Sequence, residues 1–134
     1  MFELKTGITQ IDFSELSSFY LQAGLGDRPM EMLKNAFSKS YKVLTAYSEG
    51  KIVGAGRMLS DGVIYAMIFD VAVLPEFRKQ GLGRDIMEKL LDGERDKFVH
   101  LTSTFGHEDF YKKLGFKKHK TAFALYPFQS DYLE

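Results

Sequence analysis

The stretch Ile68-Phe69-Asp70-Val71-Ala72-Val73-Leu74, followed after Pro75 by Arg78-Lys79-Gln80-Gly81-Leu82-Gly83, decides how this chain folds. Its first part is apolar and strand-like. Its second part carries two glycines and opens the helix-like run Leu82 to Leu91. A strand, a short glycine loop and a helix form a device for holding phosphate. The first N–H groups of a helix have no partner inside it and carry partial positive charge, so an anion can rest there. Gly81 and Gly83 keep side chains away from the anion and tolerate the backbone angles such a loop needs. Arg78 and Arg84 add charge. The loop points to a phosphate-bearing cofactor.

The elements on either side follow from apolar spacing and turn residues. Leu82, Ile86, Leu90 and Leu91 form the inward face of the helix, Arg84, Asp85 and Glu88 the wet face, and Gly93 the stop. Phe98 to Thr102 reads as a strand, His107 to Leu114 as a short helix closed by Gly115, and Ala122 to Tyr126 as a last strand before Pro127. Upstream, Phe2 to Lys5 is a first strand. Ile11 to Gln22 is a helix, ended by Gly24-Leu25-Gly26. Asp27 and Pro29 start a second helix, with Met30, Leu33, Ala36 and Phe37 on its apolar face. Tyr41 to Ala46 and Ile52 to Leu59 are strands joined by a hairpin turn at Ser48-Glu49-Gly50-Lys51. The turn Ser60-Asp61-Gly62, shaped by Asp61, leads into Val63 to Leu74. That run is nearly continuous apolar sequence, as expected of a strand buried on both faces. The pattern is that of one mixed α/β domain over residues 1–134.

Composition narrows the function. The chain has 134 residues, 45% hydrophobic and 14% aromatic, enough for a real core. With 18 basic and 18 acidic residues the formal net charge is zero, which argues against a nucleic-acid or anionic-membrane partner. Lys112, Lys113, Lys117, Lys118 and Lys120 cluster late in the chain and read as a solvated face. The absence of cysteine excludes disulfides, thiolate catalysis and Cys-based zinc sites, and makes a cytoplasmic location the expectation. No apolar run approaches the roughly 20 residues of a membrane span. The N-terminus lacks the apolar core of a secretory signal. No His/Asp/Glu spacing indicates a metal. Neither Gly-x-x-x-x-Gly-Lys-Ser/Thr nor Gly-x-Gly-x-x-Gly is present.

Two pieces coincide in order. Val71-Ala72-Val73-Leu74-Pro75 runs into Arg78-x-x-Gly81-x-Gly83, and Phe110-Tyr111-Lys112-Lys113-Leu114-Gly115-Phe116 follows. Together they resemble the GNAT superfamily of acetyl-CoA-dependent N-acetyltransferases, most strongly from Ile64 to Phe116. The resemblance implies a mostly antiparallel central sheet with one splayed strand pair, flanked by about four helices. It implies acetyl-CoA as co-substrate, with no metal. The pyrophosphate would sit on the loop of Arg78, Lys79, Gln80, Gly81, Leu82, Gly83 and Arg84. The pantetheine arm would pair with the backbone of Val71, Ala72 and Val73, with the Val71 N–H on the thioester oxygen and a further contact at Thr104. Tyr111 would act as the acid for the departing thiolate, a phenol being protonated at neutral pH.

The base departs from the family pattern. Where relatives place Glu or His, this chain has Met67 and Phe69. Asp70 is the only carboxylate between Val63 and Leu74; it serves either as a base, directly or through water, or as an anchor for a neighbouring loop. His107 at the entrance to the Tyr111 helix is a further proton acceptor or an ordinary helix-start histidine. By resemblance the acceptor pocket would draw on Tyr20, Leu25, Arg28, Met30, Met32, Phe123 and Tyr126, a set suited to a small hydrophobic or arylalkyl amine and equally to a core. The leading expectation is acetyl transfer to a small primary amine in a ternary complex. The competitors are acetylation of a protein N-terminus or lysine, and a CoA-binding module without catalysis. Relatives are often dimers, which makes a homodimer an expectation by analogy.

Overall fold

β-branched and aromatic residues concentrate between Lys42 and Val73, and the sheet forms there. A computed structural model describes residues 1–134 as two compact units, Met1–Thr102 and Ser103–Glu134. The first holds β1 (Glu3–Thr6), α1 (Phe13–Gln22), α2 (Met30–Ser38), β2 (Lys42–Ser48), β3 (Lys51–Ser60), β4 (Tyr65–Val73), a 3-10 turn (Pro75–Phe77), α3 (Leu82–Leu91) and β5 (Phe98–His100). The second holds α4 (Glu108–Lys113). The strands form one five-stranded sheet in the order β1-β2-β3-β4-β5. Every pairing is antiparallel except β4 with β5, which is parallel. The fold is the mixed α/β class expected, with four α-helices and a mostly antiparallel five-stranded sheet.

Local chemistry explains the boundaries. Asp12 caps α1 by accepting from the N–H groups of Ser14 (3.0 Å) and Glu15 (3.2 Å). Glu49 and Gly50 both have positive φ, 50° and 79°, so β2 and β3 join through a two-residue turn whose twist suits a hairpin. Asp61 Oδ1 accepts from Val63 and Ile64 at 2.8 Å and from Tyr65 at 3.2 Å, fixing the turn into β4. These donors, Val63 first, hold its carboxyl below the ordinary value.

α3 lies against β3 at two glycines. A Cβ on Gly54 would stand 3.2 Å from Leu82 Cδ2, and one on Gly56 would meet Ile86 Cγ2 and Leu90 Cδ1, both at 3.2 Å. Leu82, Ile86, Met87, Leu90 and Leu91 are all buried along that contact. The far end of the helix is tied to β2. Lys42 Nζ donates to the carbonyls of Leu90 (3.0 Å) and Asp92 (2.7 Å) and pairs with Glu94 at 3.3 Å. A cation suits this end of a helix, where carbonyls lack partners.

Three expectations are corrected. β4 is not buried on both faces: Ala66, Ile68 and Ala72 are buried, while Met67, Phe69, Asp70, Val71 and Val73 are only half-buried. The strand after α3 ends at His100 rather than Thr102. Ala122–Tyr126 forms no strand; Phe123 and Leu125 are 98% and 97% exposed, and the second unit offers no other strand to pair with. Apolar alternation makes a strand only where a partner edge satisfies the backbone. No helix is long and apolar enough to cross a membrane.

Candidate active site

β4 and β5 pair only through Tyr65↔Phe98, Ala66↔Val99 and Met67↔His100. β4 then continues from Ile68 to Val73 without β5 beside it. This is the splayed pair. Leu74 N–H donates to Val53 on β3 at 2.9 Å. Strand alternation therefore turns the N–H and C=O of Val73 to the opposite, open edge, and the same alternation puts Val71 on that edge.

A bulge lies in the middle of this segment. Ala55↔Ala72 and Arg57↔Phe69 are paired, so Asp70 and Val71 together oppose Gly56. Asp70 has φ 61°, a left-handed conformation uncommon outside glycine. Its carboxylate is clamped on both sides: Arg28 Nη1 donates to Oδ1 at 2.5 Å and Arg57 Nε to Oδ2 at 2.8 Å. The Tyr20 hydroxyl donates to the Asp70 carbonyl at 2.8 Å. Burial, and then the Asp70 charge, push the Tyr20 phenol well above its usual value of 10.0, so it remains a donor. Arg28 stacks over the Tyr20 ring at 5.2 Å; Arg57 lies 5.5 Å from the Phe37 ring centre and 5.7 Å from that of Phe69. Both Asp70 oxygens are thus engaged. Tyr20 and Arg28, read as acceptor-pocket residues, belong to this cluster; Met30 and Met32 are exposed.

The glycine loop follows. Gly81 caps α3 with φ 83° and supplies no side chain, so the N–H groups of Leu82, Gly83 and Arg84 have no capping side chain. A Cβ on Gly81 would meet nothing within 4 Å: the space above it is open. Lys79 also takes a positive φ, 64°. Gln80 bonds back to the Glu76 carbonyl at 3.4 Å, and Arg84 is exposed. Arg78 donates to the carbonyls of Val73 (2.9 Å) and Ala23 (3.0 Å). It fastens the loop to β4 and to the end of α1 while leaving its charge beside the loop. An open space, uncapped donors and nearby cations fit a diphosphate.

In the second unit, the run Tyr111-Lys112-Lys113-Leu114-Gly115-Phe116 has a specific physical meaning. Phe116 N–H bonds to the Tyr111 carbonyl at 3.1 Å, Gly115 N–H to that of Lys112 at 3.0 Å, and Gly115 has φ 101°. This is a Schellman ending, and its usual apolar contact is made by the Tyr111 and Phe116 rings, 6.1 Å apart. The ending fixes Tyr111 at the last turn of α4. Burial raises its phenol above 10.0. Thr104 Oγ1 and His107 Nδ1 share a hydrogen bond of 2.6 Å. The five late lysines are exposed, as expected. Phe123 is also exposed and Tyr126 half-buried. Tyr111 and Thr104 belong to the second unit, β4 and the glycine loop to the first.

Sequence reading missed Arg57, Gly54 and Gly56. The glycines carry a readable signal, two residues without side chains inside an apolar strand, which marks close approach of another backbone. Arg57 carries none, because its partner is elsewhere in the chain.

The family model of the acetyltransferase (GNAT) domain matches residues 39–118. GCN5-related N-acetyltransferase 2, chloroplastic, from Arabidopsis thaliana is 31% identical over 131 residues, covering 81% of this chain and 51% of that protein. Serotonin N-acetyltransferase 2, chloroplastic, from Oryza sativa subsp. japonica is 31% identical, covering 86% of this chain and 61% of that protein. The chain spans roughly half to two thirds of the length of the curated relatives it matches. Among solved structures, a probable acetyltransferase from methicillin-resistant Staphylococcus aureus shares the fold with TM-score 0.83 at 22% identity, over 96% of this chain and 100% of that one. A GNAT family protein from Streptococcus pneumoniae does so with TM-score 0.81 at 23% identity, over 97% and 100%. Splayed strands, glycine loop and matched domain lead to one conclusion: this chain belongs to the GNAT family of N-acetyltransferases.

Proposed function

We propose that this protein transfers an acetyl group from acetyl-CoA to a small primary amine, both bound at once. The observation that carries the reading is the end of β4–β5 pairing at Met67↔His100, which leaves β4 from Ile68 to Val73 without a strand partner on that side, ahead of the uncapped start of α3; on that side the Val73 carbonyl accepts from Arg78 at 2.9 Å. An extended pantetheine arm with two amides can add to such an edge through main-chain hydrogen bonds. Its diphosphate then meets Lys79, Gln80, Gly81, Leu82, Gly83 and Arg84, with Arg78 behind.

In the reaction, the neutral amine nitrogen attacks the thioester carbon. The C–N bond forms and the C–S bond breaks. One proton leaves the nitrogen and one reaches the sulfur. Holding both reactants together supplies much of the acceleration, up to about 7–11 kcal/mol in favourable cases. The Val71 N–H is assigned to the thioester oxygen, where charge develops. Tyr111 is assigned to the sulfur as hydrogen-bond donor, a role that a phenol raised by burial retains throughout neutral pH. Water carries off the amine proton, since both Asp70 oxygens are held by guanidinium groups.

The similarity to a serotonin N-acetyltransferase supports an arylalkyl amine as acceptor. The similarity to a protein named histone acetyltransferase TAP1, from Glycine max at 30% identity, supports lysine side chains as the second reading. Free-thiol release from acetyl-CoA, followed with small amines, peptides and blanks, separates them. Turnover with small amines is expected. Turnover with peptides alone favours the second reading, and CoA binding without turnover removes the catalytic one.

A further inference from the structure

We propose that Asp70 is a positioning residue for acetyl transfer: clamped between Arg28 and Arg57, it sets the β4 bulge so that the Val71 N–H is aimed at the thioester oxygen. The inference rests on the proposed binding of acetyl-CoA along β4.

Backbone geometry comes first. A non-glycine residue with φ 61° inside a strand is strained, and such strain persists only where surrounding contacts over-determine it. Here three groups do so. Two guanidinium groups hold the two carboxylate oxygens, and the buried Tyr20 hydroxyl holds the carbonyl of the same residue. The Asp70 side chain is only 12% exposed, so these charge-assisted bonds act away from bulk water. The residue gripped in this way immediately precedes Val71 in the bulge. Any rotation of the Asp70 backbone therefore swings the Val71 N–H.

The clamp also has a source outside the sheet. Tyr20 belongs to α1 and Arg28 to the segment between α1 and α2, while Arg57 belongs to β3. The Arg28 carbonyl is itself held by Ser17 Oγ at 2.5 Å. Two elements remote in sequence thus converge on one strained peptide.

The test compares two ligands that differ only in the acetyl group. Wild type, Asp70→Gly, Asp70→Asn and Arg28→Ala are titrated calorimetrically with CoA and with acetyl-CoA, each fold being checked by circular dichroism. Wild type should bind acetyl-CoA more tightly than CoA. Glycine accepts φ 61° freely, so Asp70→Gly keeps the fold but releases the bulge. It should retain CoA affinity while the preference for acetyl-CoA shrinks by roughly three- to tenfold, the worth of one aimed hydrogen bond. Arg28→Ala, with a partly exposed side chain, should shift the preference the same way if the glycine variant does not fold. A preference unchanged in the folded variants overturns the proposal. So does loss of the acidic limb of the pH–rate profile in Asp70→Asn, which would make Asp70 the base. Failure of wild type to bind either ligand instead removes the cofactor reading on which this rests.

Discussion

Ile86 Cδ1 stands 2.9 Å from the point that a Cβ on Gly54 would occupy. α3 can lie this close to β3 only because that position has no side chain. The distance matters beyond packing, because the first turn of the same helix presents the donors assigned to phosphate. Gly54→Val should therefore destabilise the protein by about 1–3 kcal/mol through overpacking. Urea denaturation measures that loss. CoA affinity should fall with it, as the helix is pushed off the sheet.

Gly81 separates charge from strain. Its φ of 83° penalises any side chain, while the space above it is open. Gly81→Ala should cost about 1–2 kcal/mol of stability from the left-handed backbone alone. Gly81→Glu adds a carboxylate where the diphosphate is proposed to rest, and should weaken CoA binding at least tenfold more, roughly 1.4 kcal/mol, than the alanine variant. Equal affinities for the two variants would move the diphosphate elsewhere.

Tyr111→Phe removes the assigned donor but keeps the ring that contacts Phe116. The expected outcome is a fall in kcat of roughly a hundredfold, with the KM for acetyl-CoA little changed. The sign of the pH effect follows from burial. A phenol raised above 10.0 stays protonated across the assay range, so Tyr111 contributes no alkaline limb below that value. An alkaline limb near pH 8 that disappears in the phenylalanine variant would contradict the assignment.

Glu94 links acidity to stability. The hydrogen bond from Lys97, at 2.8 Å, and then Lys42 hold its carboxyl below the ordinary 4.5, against the cost of burial. As pH falls, the unfolded chain takes up this proton before the folded one does. The stabilisation is thus complete above about pH 4.5 and is lost as pH drops through the lower folded value. Glu94→Gln should lower Tm at pH 7, leaving Lys42 and Lys97 without their shared carboxylate, and the gap to wild type should narrow toward pH 3. A gap independent of pH would mean that the carboxylate charge is immaterial.

What could be read from the sequence was whatever is encoded by neighbours along the chain. The bounds of α3 coincide with expectation, Leu82 to Leu91, because glycines bracket a run of helical spacing. The Glu49-Gly50 turn and the Leu114-Gly115 helix end are equally local. The Asp70 clamp is the opposite case. Its arginines lie 42 and 13 residues away, and nothing in the order of residues pairs them with that carboxylate. The apolar run through Val63 to Leu74 gave a strand but overstated its burial, since apolar composition does not say which neighbours arrive. Ala122 to Tyr126 shows the same limit: alternation describes a strand's faces and not the edge that must receive it.

The open margin of β4 has a consequence for how such a protein diversifies. Amide hydrogens and carbonyl oxygens are identical whichever amino acid carries them. A donor molecule gripped by those atoms is indifferent to substitutions on the sheet's two surfaces, provided the strand keeps its course. Under the proposed binding along β4, mutation can thus explore new acceptors while the hold on the carrier is inherited unchanged.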